Sequence, residues 1–257
     1  MKKSTTKILN KKIVFNKSIG IYQRYTGFTL AEVLITLGII GVIAAMTIPT
    51  LVANYQQQVY VTELKKVYTE LNQVFINYAA AEGCPGDLAC TGMFDGASQE
   101  ANIVNTLASY IKYSKNCGRS GTGPNDCITT YKYLDNSSSA GMWGGQALTE
   151  SGYSFVINDY FATNCATSNG NGPLSSNCAE IFVDVNGKQK PNMLGRDWFA
   201  FFITKTGVLY PQGSILSAPG GSNWNTATQS SNCRTDVASY GRGCAGRIME
   251  NSWMLDY

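Results

Sequence analysis

No charged residue occurs between Glu32 and Glu63, and the first part of that interval, Val33 to Ala53, is mostly apolar. It contains Val33, Leu34, Ile35, Leu37, Ile39, Ile40, Val42, Ile43, Met46, Ile48, Leu51 and Val52. About 20 such residues rise about 30 Å as a helix, which matches the hydrocarbon thickness of a bilayer. Ahead of the run stand Lys2, Lys3, Lys7, Lys11, Lys12, Lys17 and Arg24, with no acid among them. A cationic flank of this kind holds the N-terminus in the cytoplasm and sends the remainder of the chain out.

Glu32 stands at the mouth of the run. A carboxylate within a membrane helix costs a few kcal/mol and usually has a functional partner. The helix dipole favours it near an N-terminus. Gly27-Phe28-Thr29-Leu30-Ala31-Glu32, behind a basic leader and ahead of the apolar run, resembles the leader of type IV pilins and type II secretion pseudopilins. That resemblance implies cleavage between Gly27 and Phe28 by a prepilin peptidase, which then methylates the new Phe28 amine. It also implies that Glu32 pairs with the Phe28 amine of a neighbouring subunit during assembly, because two charges leave water at tolerable cost only when paired. The implied partners are the peptidase/methyltransferase, other pilin-like subunits, the inner membrane and its assembly platform. The competing reading is a secretory signal cut near Ala44-Ala45 or Ala53. The segment is too long for that, has its charge at the wrong end, and runs on into a further helical pattern.

Removing residues 1–27 removes seven cations and leaves 13 basic against 17 acidic residues, a formal charge of −4. That balance argues against general nucleic-acid binding. The chain has no histidine, which excludes His-based triads and His-ligated metals. All eight cysteines, Cys84, Cys90, Cys117, Cys127, Cys165, Cys178, Cys233 and Cys244, follow the apolar run. An even count on the exported side reads as disulfides. The pairing is open; sequential closure would staple four local loops. No Cys-x-x-Cys spacing occurs to suggest zinc.

Small residues Gly38, Gly41 and Ala45 share one face of the run and suit close helix approach. Pro49 lacks a backbone N–H and should kink the helix. Beyond it, Tyr60, Leu64, Val67, Leu71, Val74 and Tyr78 follow 4-3-4-3-4 spacing, an amphipathic stripe suited to packing under the chain's own domain. The expected organisation is a removed leader (1–27), a membrane or filament-core helix (28–53), an amphipathic continuation (54–82) and an exported disulfide-rich domain (83–257). The fold class is α+β: a long N-terminal helix laid on a small antiparallel sheet with disulfide-closed loops. A helix is expected over 98–114, loop over 115–146, and strands at Tyr153–Asn158, Ile181–Val185, and Trp198–Thr204 with Val208–Tyr210. The last two should form a hairpin about Lys205-Thr206-Gly207. Residues 212–240 read as loop, and 246–256 have no assignment.

Weaker chemical signals also occur. Asp184, Asn186, Gly187, Asn192 and Asp197 could offer oxygens to calcium. Their spacing departs from an EF-hand, and an Asn-Gly turn explains the same residues; no cofactor is otherwise expected. Ser109-x-x-Lys112, Ser175-Ser176-Asn177 and Lys205-Thr206-Gly207 mimic penicillin-recognising motifs, so a membrane-anchored exported enzyme is the different-class alternative. Arg234, Arg242 and Arg247 gather around the Cys233–Cys244 interval as a partner surface or a solvated loop. Trp143, Trp198, Trp224 and Trp253 read as packing residues. The expectation is a non-catalytic subunit of a secretion pseudopilus or a type IV pilus, single-pass in the inner membrane with its C-terminus exported. A mature chain of 230 residues (257 less 27) is large for a bulk fibre subunit, which tilts the reading toward pseudopilin or minor-pilin roles.

Overall fold

The computed structural model describes residues 27–96, 99–121, 123–139, 141–159, 164–215, 224–225 and 232–257. The leader, with the seven cations ahead of Gly27, lies outside the described residues.

Helix α1 spans Leu30–Ala81 and contains Pro49. The chain divides there into two compact units, Met1–Pro49 and Thr50–Tyr257. In the second unit α1 buries Val61, Leu64, Val67, Leu71, Val74, Phe75, Tyr78 and Ala79. These include five of the six stripe positions, with Tyr60 half-buried. The helix ends in Gly83 at φ +74°, a left-handed conformation that glycine adopts without a Cβ penalty.

The stripe packs on a six-stranded antiparallel sheet in the order β1-β2-β3-β4-β5-β6. The strands are β1 Tyr113–Ser120, β2 Gly144–Thr149, β3 Ser154–Asn158, β4 Asn177–Asp184, β5 Trp198–Thr204 and β6 Leu209–Pro211. Successive side chains point to opposite faces. Phe155, Ile157, Ile181, Val183, Phe199, Phe201 and Ile203 therefore meet α1 and helix α2 (Glu100–Leu107) in the main core. Val156, Phe182, Trp198 and Ala200 face the other way, onto Cys127, Ile128, Tyr131, Met142 and Leu194. Burial on both faces explains why β4 and β5 read as near-continuous apolar runs. Asn72 Oδ1 accepts the Leu209 N–H at 2.8 Å, and Tyr68 lies 5.8 Å from the Phe201 ring; both fix α1 against β5 and β6. Helix α3, Cys244–Glu250, closes the domain.

The α+β class, the long helix and the β5–β6 hairpin with Gly207 at φ +82° are as expected. The sequence reading erred at the other edge of the sheet. The helix expected over 98–114 ends at Leu107, its last two positions open β1, and the loop expected over 115–146 holds the rest of β1 and the start of β2. β1 is a polar, half-exposed edge strand with two register shifts, so it shows no alternation. β2 opens with Gly144 and Gly145, poor strand formers. Here they are required: a Cβ on Gly145 would stand 2.3 Å from the Glu100 carbonyl oxygen, and one on Gly144 2.3 Å from that of Ile157.

Disulfides join Cys84–Cys90, Cys117–Cys127, Cys165–Cys178 and Cys233–Cys244. Each closes a local loop, and the last ties the segment before α3 to its first residue.

Candidate processing and assembly site

Gly27, Phe28 and Thr29 precede α1 in non-helical backbone. Phe28 is 87 % exposed, and nothing lies within 4 Å of where a Gly27 Cβ would stand. Among the described residues, nothing packs over the Gly27–Phe28 peptide bond.

Thr29 caps α1. Its Oγ1 accepts the Glu32 N–H at 3.2 Å, while Glu32 Oε2 accepts the Thr29 N–H at 2.8 Å and the Thr29 hydroxyl at 2.9 Å. This reciprocal arrangement is a capping box, and it satisfies donors that the first turn of a helix leaves without partners. The signal was present in Thr29-Leu30-Ala31-Glu32, a Thr-x-x-Glu ahead of an apolar run, and sequence reasoning did not use it. Both side-chain bonds fall on Oε2. A carboxylate accepts at two oxygens, so Oε1 remains for a further donor. A cleft of about 350 Å³ beside it is lined by Phe28, Glu32, Val33 and Thr36.

The following apolar residues are exposed, from 42 % at Val33 to 73 % at Met46. The hydroxyls among them bond to their own helix: Thr36 Oγ1 donates to the Glu32 and Val33 carbonyls, and Thr47 Oγ1 to the Ile43 carbonyl. Polar groups satisfied within the helix are what a lipid-facing segment needs. Cβ positions at Gly38 and Gly41 meet nothing within 4 Å, so that face is open to close approach.

The weaker signals fall elsewhere. Asp184 and Asp197 are fully buried at the ends of β4 and β5. Asp197 accepts the Asn192 and Met193 N–H groups at 2.7 and 2.6 Å, and Asp184 the Asn186 N–H at 3.3 Å. Thr129 Oγ1 donates to Asn192 Oδ1 at 2.7 Å. Buried Asp184 Oδ2 and Asn186 Oδ1 have no hydrogen-bond partner among the described residues. Burial raises the pKa of both aspartates: Asp184 far above the usual range, with Asp197 adding repulsion, and Asp197 to about 6. Gly187 sits at φ +67°, in the turn that Asn-Gly predicts.

Two of the three penicillin-type motifs meet, the Lys205 N–H donating to the Ser176 carbonyl at 2.9 Å, while the first lies on another element. Ser109 follows α2, which packs on β1–β3. Lys205 lies in the β5–β6 turn, pairing with Asp87 at 3.4 Å. The three arginines each have a partner within the chain. Arg234 pairs with Asp236, and Arg242 reaches Glu180 at 4.0 Å. Arg247 bonds Asp256 at 2.9 Å and the Cys233 carbonyl at 2.7 Å, with its guanidinium over Trp224 and Tyr257. Of the tryptophans, Trp198 is fully buried and stacks on Tyr131, while Trp143 is partly exposed under Arg119.

No match was found among curated proteins or among solved structures. The prokaryotic N-terminal methylation motif matches residues 22–48, which include Gly27, Phe28, the Thr29–Glu32 cap and most of the exposed apolar run. This chain carries a type IV pilin-like prepilin signature.

Proposed function

We propose that the chain is a structural subunit, cut between Gly27 and Phe28 by a prepilin peptidase, methylated at the Phe28 amine, and polymerised through α1. The observation that carries this reading is the placement of Glu32. It is the sole acid in an otherwise apolar, exposed segment, held at the helix entrance with one carboxylate oxygen uncommitted. Away from water, a cationic Phe28 amine from a neighbouring subunit is the partner that offsets its desolvation. Pro49 removes one hydrogen bond from the helix ladder and supplies a place where the polymer's core helix can loosen. Before assembly the chain sits in the inner membrane, N-terminus inside and disulfide-closed domain exported. Among destinations, the size of the domain over 83–257 favours a secretion pseudopilus or a minor place in a pilus over a bulk fibre. Intact-mass measurement of protein purified from a host with the peptidase tests the processing step. The expected mass begins at Phe28 and carries one methyl group; a mature N-terminus anywhere else overturns the reading.

A further inference from the structure

Among the described residues, three pairs of tyrosines touch ring to ring. Tyr78–Tyr110 and Tyr131–Tyr133 meet edge to face, both at 5.9 Å, with planes at 90° and 88°. Tyr133 and Tyr240 instead lie face to face, their centroids 4.0 Å apart and their planes 16° from parallel. Both are half-buried, so each still reaches solvent. The backbone holds them in place. The Leu134 N–H donates to the Tyr240 carbonyl at 3.3 Å, and the Asp135 N–H to the Ser239 carbonyl at 3.0 Å. Tyr133 sits in a turn, donating its N–H to the Ser137 carbonyl and accepting the Asn136 N–H, each at 2.9 Å. Beside Tyr240, a Cβ on Gly241 would stand 2.6 Å from the Leu194 carbonyl oxygen and 3.0 Å from Leu134 Cβ. The Cys233–Cys244 bridge closes the loop that carries Tyr240.

A phenol that loses one proton and one electron becomes a radical whose spin is shared with the ring carbons next to the hydroxyl-bearing one. Two such radicals join through those carbons when the ring faces overlap, and an edge-to-face pair offers no such overlap. Holding two reacting groups in the required geometry replaces a rare encounter with a step inside one molecule. No thiol competes for the radicals, because all eight cysteines are in disulfides.

We propose that Tyr133 and Tyr240 are an oxidative cross-linking site, joined as a dityrosine when a peroxidase and hydrogen peroxide oxidise them. Each phenol gives up one proton and one electron. A carbon–carbon bond forms between one ortho carbon of each ring, and the displaced ortho hydrogens return to the phenol oxygens. The two electrons and two protons released reduce one hydrogen peroxide to two waters. The bond joins positions 107 residues apart (240 less 133), whereas the four disulfides span 6 to 13 residues. It ties the segment between β1 and β2 to the loop ahead of α3. A link that closes a longer loop removes more freedom from the unfolded chain.

The full chain, treated with a haem peroxidase and dilute hydrogen peroxide, then reduced, digested and mapped by mass spectrometry, tests this. The expected product is one linked peptide pair carrying Tyr133 and Tyr240 and short of two hydrogens. Dityrosine fluorescence and a Tm above that of the untreated chain should accompany it. The reading is made on peptides because exposed Met254 takes up oxygen under the same conditions. Tyr133→Phe and Tyr240→Phe keep the stacked ring and should each lose the link completely, while Tyr110→Phe should leave it unchanged. Links through Tyr110, or between separate chains, at the same yield would assign the coupling to chance encounter and overturn the site. Absence of the 133–240 link, with Met254 sulfoxide showing that oxidant reached the chain, overturns it as well.

Discussion

Glu32 and Thr29 hold each other: the carboxylate takes the Thr29 N–H and hydroxyl at 2.8 and 2.9 Å, and Thr29 Oγ1 returns an acceptor to the Glu32 N–H. One acid therefore has two tasks. It finishes the helix start, and it keeps an oxygen for a charge from outside.

The two tasks separate by mutation. Glu32→Ala should leave the precursor inserted and cleaved at Gly27 but abolish filaments, scored by shearing and immunoblotting or by electron microscopy. Thr29→Val removes the cap and keeps the charge, at a cost of about 1 kcal/mol in helix-start stability. It should lower filament yield without abolishing it. Normal filaments from Glu32→Ala would remove the basis of the assembly mechanism.

Leu71 is fully buried in the centre of the α1 stripe. Leu71→Ala should destabilise the sheet domain by about 2–5 kcal/mol, through lost burial plus the cavity left behind. Urea unfolding followed by tryptophan fluorescence reads this directly, and Glu63→Ala on the exposed face is the control, with a change under about 0.5 kcal/mol.

Gly145→Ala should be costly for the opposite reason. The added methyl meets the Glu100 carbonyl oxygen at 2.3 Å and Val104 Cγ2 at 2.7 Å, and overpacking of this kind costs about 1–3 kcal/mol. A fall in Tm with disulfides intact would confirm that β2 needs glycine for close approach.

The buried Asp184 and Asp197 give the domain a pH dependence of definite sign. Their folded-state pKa values are raised, Asp197 to about 6, so the folded state keeps protons that the unfolded state has already lost. The stability they contribute is present below the ordinary aspartate range and lost as pH rises through 6 and beyond. Tm should therefore increase on going from pH 7.5 to pH 5. Asp184→Asn, which removes the charge and nearly keeps the shape, should flatten that slope and raise stability at pH 7.5. A variant less stable than wild type at pH 7.5 would show that the ionised carboxylate is the favoured form.

Half of this molecule was legible from residue order because its strongest signals are periodic. The apolar run, the stripe from Tyr60 to Tyr78 and the apolar strands β3 to β5 each repeat a pattern that one face of a helix or sheet imposes. β1 escaped because an edge strand with Lys115, Asn116 and Arg119 facing water has no apolar rhythm. β2 escaped because its glycines answer to Glu100 and Ile157, residues distant in sequence. In the candidate site, Gly27, Phe28 and Glu32 stood out by motif. The Thr29 cap is equally readable, as a Thr-x-x-Glu ahead of an apolar run.

The four bridges join cysteines 6, 10, 13 and 11 residues apart. A thiol thus finds its partner within at most 13 residues of chain, with no distant segment to wait for. Each loop can therefore close on its own, so no bridge depends on another having formed first.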